Sequence, residues 1–342
     1  MINVNEIRKD FPILNIEING HKLIYFDNAA SSQKPIQVIN AIKDFYTKYY
    51  SNVHRGIHTL SQKSSELYEE AREIVSKFIN AKTEELIFVK NASDGINLVA
   101  YTWGIQKLDN NSEVLLTLME HHSNITPWIT LSRIKNFKIK YVKVNSDGTL
   151  NYEDLENKIN KKTKIIAISH VSNVTGTVND IERIIKIAHD YNALVLVDGA
   201  QSVPHMPIDV KKINCDFLTF SGHKMLGPTG IGALYVREEI IEELEPTISG
   251  GGTIQSVSWI ENENKCIIKW AKAPEKFEAG TPNIAGAIGF AEAVGYLEKI
   301  GMENVREHEK KLVKYTLKRF EELDKTKIYG PLNPEIRGGI IT

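Results

Sequence analysis

Short β-branched apolar runs alternate along this chain with longer stretches whose apolar residues recur at helical spacing. The runs 23–26, 85–89, 114–118, 165–169, 194–197, 217–220 and 231–236 predict strands. Several are apolar on consecutive positions, the pattern of strands covered on both faces. Residues 35–50, 61–79, 94–103 and 179–191 predict helices between them. In 61–79, Leu67, Ala71, Ile74, Val75, Phe78 and Ile79 fall on one face and charges fill the other. Pro35 suits a first helical turn, where its missing N–H would be unpaired anyway. Alternation of this kind implies right-handed crossovers and a mainly parallel sheet flanked by helices. The expected fold class is α/β.

The pattern changes after Asn283. Helices are expected over 284–300 and 303–323, with Gly301 as a stop between them. A strand-like 327–329, a turn-rich Gly330-Pro331-Leu332-Asn333-Pro334 and the rising apolar run Gly338-Gly339-Ile340-Ile341-Thr342 follow. These features predict a large domain over residues 22–282. A smaller α+β domain of 1–21 plus 283–342 is expected to be incomplete at its C-terminal end, as in a truncated longer enzyme; a natural variant is the other reading. A length of 342 residues agrees with roughly two domains. A net charge of −1 supplies no field for nucleic acid or an anionic membrane, so neither is an expected partner. No apolar run approaches the ~20 residues that span a bilayer. The N-terminus lacks a signal-peptide core, so a cytoplasmic protein is expected. Two cysteines make neither a disulfide framework nor a four-ligand zinc site, and no metal is expected.

Two central segments carry the chemistry. In Ala193-Leu194-Val195-Leu196-Val197-Asp198-Gly199-Ala200-Gln201-Ser202 an apolar strand ends in a carboxylate. Strand C-termini of open α/β sheets are where ligands sit. In Phe217-Leu218-Thr219-Phe220-Ser221-Gly222-His223-Lys224 a strand delivers a hydroxyl, a glycine, an imidazole and an amine. The spacing of Asp198 and Lys224 leaves room for one connection and one strand, so both can reach the same end of the sheet. An amine and a carboxylate converging there are the minimum for pyridoxal phosphate: the lysine bonds the cofactor aldehyde and the acid keeps the pyridine nitrogen protonated. On spacing alone, a helix-capping Asp and a surface Lys fit equally well. Ser221 and His223 tip the balance, because their donors suit a phosphate dianion.

These residues resemble the class-V aminotransferases among the fold-type I pyridoxal-phosphate enzymes, and more narrowly the SUF-type cysteine desulfurase and selenocysteine lyase group. The likeness runs through Tyr25-Phe26-Asp27-Asn28-Ala29-Ala30, Asn52-Val53-His54-Arg55-Gly56-Ile57-His58, Glu120-His121-His122-Ser123-Asn124, His170-Val171-Ser172-Asn173 and Phe277-Glu278-Ala279-Gly280-Thr281-Pro282-Asn283. The resemblance makes Lys224 the cofactor-bonded lysine and proton carrier. It pairs Asp198 with the pyridine nitrogen, sets Gln201 on the ring hydroxyl and stacks His121 on the ring. Ala92, Ser93, Ser221 and His223 would hold the phosphate, with Thr281 arriving from a second subunit of a homodimer. The family has Gly-Thr-Thr where this chain reads Asn91-Ala92-Ser93, so Ala92 offers only its backbone. Asn173, His54 and Arg55 would line the substrate side, although the last two also read as surface loop polars.

The implied reaction converts L-cysteine to L-alanine, or L-selenocysteine in the lyase alternative, and passes sulfur to an acceptor or Fe–S scaffold protein. Other class-V lyases, or a pyridoxal-phosphate-binding protein without turnover, are the remaining readings. The resemblance places the nucleophilic cysteine and the substrate-carboxylate arginine beyond Thr342. Cys215 reads as a packed structural thiol and Cys266 matches no catalytic motif, so no nucleophile is named.

Overall fold

The computed structural model describes residues 2–54 and 56–342. Two short strands, β1 (Glu17–Ile18) and β2 (His21–Lys22), form a small hairpin. The central sheet contains β3 (Leu86–Val89), β4 (Glu113–Thr117), β5 (Lys138–Val142), β6 (Thr163–Ser169), β7 (Leu194–Asp198), β8 (Phe217–Ser221) and β9 (Gly232–Val236). Their order is β3-β9-β8-β7-β6-β4-β5. The run from β8 to β5 is parallel, and β9 is antiparallel to both its neighbours. A second hairpin, β10 (Ile254–Ile260) with β11 (Lys265–Trp270), forms a separate arm.

Side chains alternate across the sheet, which is why its strands read as continuous apolar runs. Ile166, Ile168, Val195, Val197, Leu218 and Phe220 face a core shared with helices Thr59–Phe78, Ile181–Asp190 and Ile284–Ile300. Ile165, Ala167, Leu196 and Phe217 face the other, where Ile96, Trp103, Trp128 and Leu131 pack.

Six of the seven expected strands are present, but 23–26 is not one. Ile24 and Phe26 are 76% and 95% exposed and find no ladder partner. Sequence pattern also misses β5, an edge strand with alternating lysines, and the β10–β11 arm, most of whose side chains are exposed. Residues 327–329 form no strand either. Two buried guanidiniums hold that region instead. Arg337 donates to the carbonyls of Tyr329, Pro331 and Ile340, and Arg306 to those of Arg337 and Glu335. Among the described residues, no helix is long and apolar enough to cross a membrane.

Candidate active site

Strands β6, β7 and β8 run parallel and end together. Ser169 pairs with Asp198, and Asp198 with Thr219. Just past β8 the chain makes one tight turn, Gly222–Lys224, that carries the lysine over the sheet edge. A Cβ on Gly222 would sit 3.1 Å from the Ile231 carbonyl, so the approach of this turn to the neighbouring segment leaves little space for a side chain.

Asp198, Lys224 and His121 lie within electrostatic reach of one another. Burial pushes the Asp198 carboxyl up, while Lys224 and His121 pull it back down. Burial pulls the Lys224 amine below its ordinary range, against the attraction of Asp198. That raises the fraction of neutral, nucleophilic amine. His121 is likewise lowered, first by burial, so its imidazole is biased towards the neutral form.

The N-terminus of helix Ala92–Val99 closes one side. Asn91 caps it, its side chain accepting from the Asp94 N–H at 3.0 Å. The Ala92 N–H donates to Ser221 Oγ at 2.8 Å, tying the helix to the end of β8. Ser93 Oγ lies 2.5 Å from Ser123 Oγ, which lies 2.9 Å from His121 Nδ1. Helix-terminal N–H groups, serine hydroxyls and a nearby imidazole form a cradle suited to a dianion. On the other side, Gln201 donates to the Ala29 carbonyl at 2.7 Å, while its Oε1 is buried with no partner among the described residues. His223 Nδ1 meets Ser31 Oγ at 3.3 Å, and its carbonyl accepts from Ser32 and from Lys34 Nζ.

Among the described residues, Asn173, His54 and Thr281 make no hydrogen bond to this group. Asn173 sits half-buried in the turn after β6. His54 is drawn to Glu69 at 3.2 Å. Thr281 is exposed. Arg55 lies outside the described residues.

Three neighbours receive no site role from sequence reasoning. Ser123 bridges Ser93 and His121. Lys34 braces the His223 carbonyl, and burial lowers its amine to about 8. Glu120 is buried and accepts from Thr117 at 2.5 Å, Asn124 at 2.7 Å and Ser169 at 2.8 Å. It thereby pins the His121 turn between β4 and β6.

The Aminotransferase class-V family model matches residues 24–342. A probable cysteine desulfurase of Halalkalibacterium halodurans is 48% identical, with all of this chain aligned to 82% of that protein. A cysteine desulfurase of Escherichia coli is 46% identical over 97% of this chain and 80% of its own length. Among solved structures, the apo cysteine desulfurase of Thermococcus onnurineus superposes with a TM-score of 0.92 at 43% identity, covering all of this chain and 82% of that one. SspA in complex with cysteine matches with a TM-score of 0.69 at 30% identity, over 80% of this chain and 73% of its own.

Proposed function

The chain belongs to the aminotransferase class-V family, and from that premise we propose that it is a pyridoxal-phosphate-dependent cysteine desulfurase, converting L-cysteine to L-alanine and passing the sulfur on. The observation that carries the reading is the placement of Asp198 at the end of β7 beside β8, whose own end leads straight into the turn bearing Lys224, with His121 following β4 of the same parallel run. The residues present fit the cofactor. The partnerless Gln201 Oε1 suits a ring hydroxyl, and the Ala92–Ser93 helix start, with Ser221 and His223, suits a phosphate. Lys224 would bond the aldehyde, Asp198 would face the ring nitrogen and His121 would cover the ring face. Thr281 would complete the phosphate site from a second subunit. Bound there, pyridoxal phosphate supplies an electron sink for the bond electrons released at the amino acid Cα.

The chain's own groups move the proton and hold the reactants in place. Lys224 Nζ, its amine pulled below the ordinary range by burial, takes and returns the proton at Cα. Asp198, buried at the end of β7, would hold a proton on the ring nitrogen. His121, fixed through Ser123 and Glu120, keeps the ring face dry. Asn173, His54 and Arg55 would orient the substrate. Neither cysteine is assigned to the sulfur step: burial pushes the Cys215 thiol up, and Cys266 stands on the β11 arm. A sulfur acceptor or Fe–S scaffold partner, a homodimer, a cytoplasmic setting and a 22–282 large domain belong to the same proposal.

Purified protein incubated with pyridoxal phosphate is expected to gain visible absorbance that borohydride traps covalently. Lys224→Ala should lose both signals. An unchanged spectrum in that variant would overturn the assignment. Alanine and sulfide release from cysteine, set against selenide release from selenocysteine, then separates the desulfurase from a lyase.

A further inference from the structure

Helix Thr59–Phe78 turns Glu66, Glu70, Glu73 and Lys77 to solvent, yet its polar residues Ser61, Ser64, Tyr68 and Arg72 are buried. Two rows at i, i+4 spacing run along it, Ser61-Ser65-Glu69 and Ser64-Tyr68-Arg72. The first row and Ser64 grip the loop that bears His54. Ser64 Oγ accepts from the Ser51 N–H at 3.0 Å and Ser65 Oγ from the His54 N–H at 2.8 Å. Ser61 Oγ donates to the Asn52 carbonyl at 2.8 Å, and Glu69 meets the His54 ring.

Tyr68 and Arg72 of the second row grip Glu278, five residues before the helix cap Asn283 and three before Thr281. Arg72 is fully buried and donates to both Glu278 oxygens, at 2.5 and 2.9 Å. Its Nη1 also reaches the Leu86 carbonyl at 3.1 Å, and its Nε reaches Glu69 at 3.1 Å. Glu278 further accepts from the Tyr68 hydroxyl at 2.8 Å and the Phe88 N–H at 2.7 Å. The guanidinium lies over the Tyr68 and Phe88 rings at 5.0 and 4.9 Å. A buried ion pair gains little stability over well-packed apolar side chains, so its value lies in fixing geometry. Glu69 is the hinge between the rows, because it holds His54 with one oxygen and Arg72 with the other.

We propose that Arg72 and Glu278 are positioning residues that lock the His54 loop and the Thr281 segment to one helix, so that these two segments move as a single body. Their importance for turnover rests on the functional reading above; the mechanical coupling does not.

Amide hydrogen exchange tests it. Glu278→Gln keeps the shape but removes the charge that holds Arg72. It is expected to speed exchange about tenfold at Gly280 and also at Ser51 and His54, which Glu278 does not touch. Faster exchange at Gly280 alone would overturn the coupling. Should that variant fail to fold, Glu69→Gln alters only the half-exposed end. It is expected to speed exchange at His54 and raise KM for L-cysteine several-fold, with kcat within about twofold. An unchanged KM with unchanged exchange would overturn the inference. Coupled exchange in a chain that neither retains pyridoxal phosphate nor releases sulfide would uphold this inference and overturn the functional reading instead.

Discussion

Glu120 shows how one buried side chain can set a measurable property. Burial raises its carboxyl to about 7, against three hydrogen bonds that favour the charged form. The folded state therefore keeps a proton that the unfolded chain gives up near 4.5. That contribution is fully present below about 4.5 and is lost as pH rises through about 7. Glu120→Gln removes the titration, so its melting temperature should gain on the wild type between roughly pH 5 and pH 8. A constant difference across a thermal-unfolding series would contradict this. Neither Glu120 nor Ser123 or Lys34 was legible as a site residue. Each acts through contacts made by chain segments distant in sequence, whereas Lys224 and Asp198 announce themselves by following apolar strands.

Elements were legible where burial imposed a period and not elsewhere. The sheet interior and the helix Ile284–Ile300 follow apolar pattern closely. The exposed β10–β11 arm and edge strand β5 lack a buried face to mark them. The phosphate-side helix was expected from residue 94, but Asn91 starts it at Ala92, because the cap's Oδ1 satisfies the Asp94 N–H. Asn91→Ala should cost about 1 kcal/mol in urea unfolding and weaken retention of phosphate-bearing ligands. Normal stability and normal retention would show the cap to be idle. Gly95 lies on the same helix where it crosses β8, and an added Cβ would fall 2.2 Å from Thr219 Oγ1. Gly95→Ala is expected to cost about 1–3 kcal/mol through overpacking, read from the same unfolding midpoint.

At the scale of the molecule, one apolar core supports the site from behind. Phe290 is fully buried and meets Phe220 of β8 with ring centroids 5.9 Å apart, so helix Ile284–Ile300 backs the strand that leads to Lys224. Phe290→Ala should cost about 3–5 kcal/mol and loosen ligand retention together with stability, as denaturant titration followed by absorbance and by circular dichroism would show. The sequence by itself determined the α/β alternation, the buried strands and the identities of the motif residues, because hydrophobic period and local chemistry are written along the chain. Only the tertiary structure decided that Arg72 of helix Thr59–Phe78 is buried and answers Glu278, and that 23–26 and 327–329 form no strands. Those outcomes depend on which distant segment satisfies a polar group, and no periodicity encodes the partner.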